Sequence, residues 1–145
     1  MRTCFLGAEL GARSEDPACL EGGRVRYELV AQTDLFRAGL ERVREGMKHF
    51  RVALMCAEKD PMDCHRTILV ARQLERLGMD IRHIDAEGGL ESQAAVMQRV
   101  LLALKLPEED LFHSRAEMLT SAYEMQGERL CYAPEEARAA ANAAG

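Results

Sequence analysis

The stretch RVALMC at residues 51–56 constrains the fold more than any other part of the chain. It is mostly apolar and does not alternate, which is the composition of a central parallel strand covered by helices on both faces. Beyond a loop, Asp63 is placed to cap a helix reaching Leu77, and Gly78 to end that helix in the left-handed conformation. Residues 79–85, MDIRHID, alternate loosely and run into Gly88 and Gly89, the pattern of a second strand ending in a loop. A strand, helix and strand in this order predict a right-handed crossover that sets both strand carboxyl ends on one edge of the sheet. The expected fold is therefore α/β: a three-layer, Rossmann-like, mostly parallel sheet flanked by helices.

The remaining segments fit one domain over residues 1–133, followed by an Ala-rich tail at 134–145 that is low in complexity and expected to fray. The glycine-rich opening reads as loop and turn, with a short strand at residues 4–6. Thr33 or Asp34 can cap a helix to about Lys48, in which Leu35, Phe36, Leu40, Val43 and Met47 keep helical spacing. Residues 90–106 and 114–126 read as two further helices.

Charge and composition narrow the function. A formal charge of −5 offers no basic excess for neutralising a phosphate backbone, and with no Trp and 5% aromatic residues the base-stacking platforms of single-strand binders are missing. Arg24, Arg26, Arg42 and Arg44 have acidic neighbours and read as solvated ion-paired faces rather than a nucleic-acid groove. No apolar run is long enough for a signal peptide or a membrane span, so a cytoplasmic protein is expected. Five cysteines at irregular spacing, with no C-x-x-C pair, argue for reduced thiols over a disulfide framework.

The candidate chemistry lies in CAEKDPMDCHR at residues 56–66. Ligands of open α/β sheets sit beyond the strand carboxyl ends, where helix amino termini present unsatisfied N–H groups. Cys56 falls at that edge, and Cys64, His65 and Arg66 fall in the first turn of the next helix, whose partial positive charge favours anions and thiolates. Cys64 is then the better thiolate candidate. Arg66 supplies a fixed cationic fork for phosphate or carboxylate, His65 moves protons near neutral pH, and Glu58 can orient His65 or act as a base. A zinc site from Cys56, Cys64 and His65 lacks an evident fourth ligand, and its two adjacent residues diverge from a helix, so no metal is assigned. A Cys56–Cys64 redox pair stays open, since it needs α-carbons within about 7 Å.

These residues, followed by an apolar helix and a His-Ile pair, resemble the signature of domain-of-unknown-function family 488. LGAELGAR at residues 6–13 resembles the family's glycine-rich turn ending in arginine, and AYEMQ at 122–126 resembles its late helix. The resemblance carries over Cys56, Glu58, Pro61, Cys64, His65 and Arg66, and more weakly Gly7, Gly11, Arg13, His83, Tyr123 and Gln126; it adds Arg13 to the anion-binding set and keeps His83, Tyr123 and Gln126 as secondary candidates. Ala12 stands where the family usually has a second glycine. The family's usual amino-terminal strands, with their Gly-His-Ser and Asp-Val-Arg segments, have no counterpart here, which implies a fold truncated at its amino terminus. A misassigned start, a true truncation that pairs its open edge in a homodimer, or a degenerate site would each account for that.

The resemblance implies a suspected enzyme without naming a reaction or cofactor. The expected function is an enzyme on a small anionic, phosphate- or nucleotide-bearing substrate, with a cysteine nucleophile and His65 or Glu58 moving protons. The alternative is a non-catalytic ligand-binding or thiol redox-sensing module that acts through a protein partner.

Overall fold

The computed structural model describes residues 2–132 and Ala143. The tail expected at 134–145 lies outside the described residues apart from Ala143. The described residues fall into two compact units, one of residues up to Met55 with Cys131 and Tyr132, the other Cys56–Leu130. No helix among the described residues is long and apolar enough to cross a membrane.

In the first unit, residues 4–6 form no strand; a short helix α1, Gly7–Leu10, follows them directly. A 3₁₀ turn at Pro17–Cys19, capped by Asp16, leads into a hairpin of β1, Leu20–Glu21, and β2, Arg24–Val25. Its turn places Gly22 at φ 57° and Gly23 at φ 74°, the doubly left-handed geometry that matches strand twist and that glycine adopts without steric cost. After α2, Tyr27–Val30, the Thr33 hydroxyl accepts from the Phe36 amide at 3.2 Å and starts α3, Asp34–Met47, as its sequence predicts. The buried stripe of α3 is Phe36, Gly39, Leu40 and Val43, while Leu35 and Met47 face solvent. Gly39 lets α1 approach: a Cβ there would stand 2.6 Å from that of Glu9. Three of the four arginines read as ion-paired do pair, Arg26 with Glu21 and Glu28, Arg42 with Glu9, and Arg44 with Glu41.

The second unit carries a helical run starting at His65. Arg66–Ala71 is π-helical and passes into α4, Arg72–Arg76; the run ends at Gly78, whose φ of 81° lets its amide reach the Glu75 carbonyl at 2.8 Å. The side chains from Thr67 to Ala71 are all buried, so this helix is enclosed on every side rather than amphipathic. Around it stand α5, Gln93–Leu104, contributing Val96, Met97, Val100 and Leu101, and α6, Arg115–Leu130, contributing Met118, Ala122 and Tyr123. Ser92 caps α5, and Ser114 with Glu117 makes a reciprocal capping box for α6.

The chain is α/β in the broad sense, with helices and two small sheets among the described residues, where the expected Rossmann-like, mostly parallel arrangement is not what forms. Both sheets are two-stranded and antiparallel. Residues 51–56 lie outside both, with Val52 41% and Met55 88% exposed, so the apolar run that reads as a central strand is not a covered one. A parallel strand needs flanking strands and a helical layer on each face. The second expected strand shortens to β3, Arg82–Ile84, and pairs antiparallel with β4, Leu90–Ser92. The Asp85 carboxylate accepts from the Glu87 and Gly89 amides and, with Gly88 at φ 84°, turns the chain straight back. That return delays α5 to Gln93.

Candidate functional site

The loop before the helical run is built on Asp60. Its carboxylate accepts from the Met62 amide at 2.9 Å and caps a 3₁₀ turn, Pro61–Asp63, which has proline at its first position. Asp60 thus caps this turn, and Asp63, expected to cap the following helix, is the turn's last residue. The same carboxylate takes both hydrogen bonds of one Arg99 nitrogen at 2.7 and 2.6 Å, while the other Arg99 nitrogen donates to Glu91 at 2.9 Å. Gln126 donates to the Met62 carbonyl at 3.0 Å. The loop between the two cysteines is therefore tied to α5 and α6.

Cys64 is extended, at φ −107° and ψ 130°, and its carbonyl accepts from the Thr67 amide at 3.0 Å, so it occupies the capping position itself with His65 and Arg66 in the first turn. This geometry brings the cysteines together, with the Cys56 and Cys64 sulfurs 2.9 Å apart. Arg66 Nε donates to Cys64 Sγ at 3.1 Å, and the Glu58 amide reaches Cys56 Sγ at 3.4 Å. A continuous chain results: Arg66 to Cys64, Cys64 to Cys56, and Glu58 amide to Cys56. A π-helical segment follows at once, a departure from regular helix that recurs at functional sites.

The two thiols are unequal. Cys64 is 0% exposed, whereas Cys56 is half-buried. Burial pushes the Cys64 thiol up, the neighbouring Cys56 adds to that, and Arg66 only partly opposes it. For Cys56, burial acts upward as well, but the hydrogen bond from Cys64, the Glu58 amide and Arg66 together prevail and hold the thiol below its usual value. Of the two, Cys56 is the more readily ionised. The structure points the other way from the sequence reading of Cys64 as the better thiolate, because the inner sulfur is wholly buried even though Arg66 donates to it, while the half-buried outer one takes the Glu58 amide.

His65 is half-buried; burial, then the charge of Arg66, lowers its pKa against a smaller opposing pull from Glu58, leaving a neutral imidazole at pH 7. The Glu58 side chain is exposed, and the residue contributes to the sulfur pair through its amide. The sulfurs of Cys56 and Cys64 and a ring nitrogen of His65 lie within 4.8 Å of one another and are the residues that could hold a metal ion. Arg66, donating to one of those sulfurs, sets a fixed positive charge where a dication would sit.

The secondary candidates divide. Gln126 holds the loop, as described. His83 and Tyr123 meet in a separate network: His83 Nε2 is 2.5 Å from Gln93 Oε1, and Gln93 Nε2 donates to the Tyr123 hydroxyl at 2.8 Å and the Thr67 carbonyl at 3.1 Å. The Arg72 guanidinium stacks 4.4 Å over the Tyr123 ring, and burial raises the Tyr123 pKa against the Gln93 hydrogen bond. Arg13 belongs to the first unit, where its guanidinium lies 5.1 Å over the Tyr132 ring. Sequence reasoning missed Asp60, Arg99 and Gln93. Asp60-Pro61 carried a readable capping signal; the other two are placed only by tertiary contact.

No curated protein and no solved structure matches the chain. Residues 7–73, from α1 to the start of α4, match the model of the family described as domain of unknown function DUF488, the family that the motif at 56–66 resembles.

Proposed function

We propose that the protein is an enzyme acting on a small anionic, phosphate- or nucleotide-bearing substrate, with Cys56 as its nucleophile. The observation that carries this reading is the 2.9 Å sulfur pair with Arg66 donating to its inner member at a helix start. Pairing Cys56 with a proton-bearing Cys64 supports a thiolate on the more accessible sulfur, and the thiolate is the nucleophilic form. The first-turn amides and the Arg66 guanidinium are suited to an anion beside it. Neutral His65 is suited to accept a proton from an attacking water or to return one to a leaving group, with exposed Glu58 modulating its charge. Free cysteines fit a reducing compartment, which supports a cytoplasmic setting.

The test is alkylation of the intact chain across pH 5–9, followed by peptide mapping. Cys56 should label fastest near neutral pH, and inorganic phosphate or a nucleotide mixture should slow it. Mass analysis of the nucleotides afterwards separates turnover from binding. Slow labelling of every cysteine, or labelling of Cys56 indifferent to all these anions, would sink the proposal.

A further inference from the structure

We propose that Cys56 and Cys64 also form a hydroperoxide-reducing dithiol, in which Cys56 takes the oxygen and Cys64 closes an intrachain disulfide. This rests on Cys56 as the reactive thiol and is independent of the anionic substrate. The geometry assigns the two roles separately. Cys56 is half-buried and open to a small reagent, whereas Cys64 is 0% exposed and meets only what arrives on Cys56. Their sulfurs stand 2.9 Å apart, so reaching a disulfide bond of about 2.05 Å needs less than about 1 Å of approach. The intervening loop is tethered at Asp60 by Arg99 and at Met62 by Gln126, which leaves the closure to the two side chains.

The chemistry balances with a hydroperoxide as oxidant and a small thiol as reductant. The Cys56 thiolate attacks the terminal peroxide oxygen; the O–O bond breaks, the leaving alkoxide or hydroxide takes a proton from water, and Cys56 becomes a sulfenic acid. Cys64 gives its proton, relayed by one water, to His65, whose ring nitrogen lies within 4.8 Å of both sulfurs, and its thiolate is held by Arg66 Nε at 3.1 Å. That thiolate attacks the Cys56 sulfur, the S–O bond breaks, and the departing hydroxide recovers the proton from His65 as water. Two thiols and one hydroperoxide thus give one disulfide, one alcohol and one water. On reduction a small thiol attacks the exposed Cys56 sulfur, and Cys64 leaves as the thiolate that Arg66 stabilises; a second thiol then releases Cys56.

Hydrogen peroxide added in equimolar amount to the reduced chain tests this by intact and tryptic mass analysis. Cleavage at Lys59 separates the two cysteines, so their disulfide appears as a linked peptide pair that dithiothreitol splits. The wild type should lose two hydrogens and yield that pair. Cys64→Ser should stop at a Cys56 sulfenic acid trapped by dimedone, and Cys56→Ser should leave Cys64 unoxidised. A sulfinic acid on Cys56 without the linked pair, disulfides between chains only, or oxidation of Cys56→Ser as fast as the wild type would overturn the proposal. The wild-type mapping decides the case even where a variant fails to fold. Disulfide formation without phosphate protection of Cys56 would discard the anionic substrate and keep the dithiol; protection without disulfide formation would do the reverse.

Discussion

Asp60 is the residue through which the cysteine loop is held, and its replacement has two separable costs. Asp60→Ala removes the acceptor of the Met62 amide at 2.9 Å, a capping loss of about 0.5–2 kcal/mol. It also removes both bonds to Arg99, but the two side chains are 42% and 38% exposed, so solvent screening limits that pair to about 0.2–1 kcal/mol. The sum is roughly 1.5 kcal/mol, which for a chain near 150 residues lowers Tm by about 3–6 °C. Asp60→Asn keeps an oxygen for the cap and loses only the charge, so it should cost less than about 1 kcal/mol, and that loss should shrink in high salt. The Arg99 hydrogen bonds hold the Asp60 carboxyl below its usual range, with burial opposing and the Met62 amide adding to the effect. A depressed carboxyl pKa stabilises above its unfolded value and loses that contribution as pH falls through the folded one. The Tm gap between wild type and Asp60→Asn should therefore be full at pH 7 and begin to shrink as pH falls below about 4, closing further as the folded carboxyl is protonated. Thermal unfolding of the three proteins at two salt concentrations and three pH values measures all of this. Equal losses for Asn and Ala would refute the capping role, and a gap as large at pH 3 as at pH 7 would refute the ion pair.

The other expectations are simpler. Gln93→Ala leaves the Thr67 carbonyl and the Tyr123 hydroxyl without their donor in a buried site and should cost about 2–4 kcal/mol, read as a lower denaturant midpoint at unchanged slope. Gly78→Ala meets nothing within 4 Å but must hold φ at 81°, so the penalty is conformational alone, about 1 kcal/mol by the same assay. Arg66→Met removes the cation that favours ionisation of Cys56, so the pH at which Cys56 labels half-maximally should rise and protection by phosphate should disappear. An unchanged labelling profile would detach Arg66 from the thiol chemistry.

What the sequence exposed and what it hid follow from the range of the interactions. The candidate cluster was legible because its residues are close in sequence: two cysteines, a histidine and an arginine within 56–66, ahead of a helix whose end Gly78 marks. Helix α3 was equally legible, since Thr33 and the spacing of Phe36, Leu40 and Val43 are consecutive information. Residues 51–56 misled because an apolar run specifies burial only where other chain arrives to cover it, and strand formation depends on a partner's register rather than on the run itself. Gly88 and Gly89 announced a turn without saying whether it led to a helix or to an antiparallel return. Asp60 and Arg99 are 39 residues apart, beyond any periodicity.

The inequality of the two thiols is the sharpest case. Read along the chain, Cys64 has the better claim to ionise, because it sits at a helix amino terminus two residues from a cation. In three dimensions that same position is wholly buried, and desolvation with the neighbouring Cys56 outweighs Arg66 and its amide. The contact between the sulfurs raises the pKa of the buried Cys64 and lowers that of Cys56, so the pairing that disfavours ionisation of the inner sulfur favours it on the outer one. Local sequence places the cation and the helix start, and tertiary packing decides which sulfur ionises more readily.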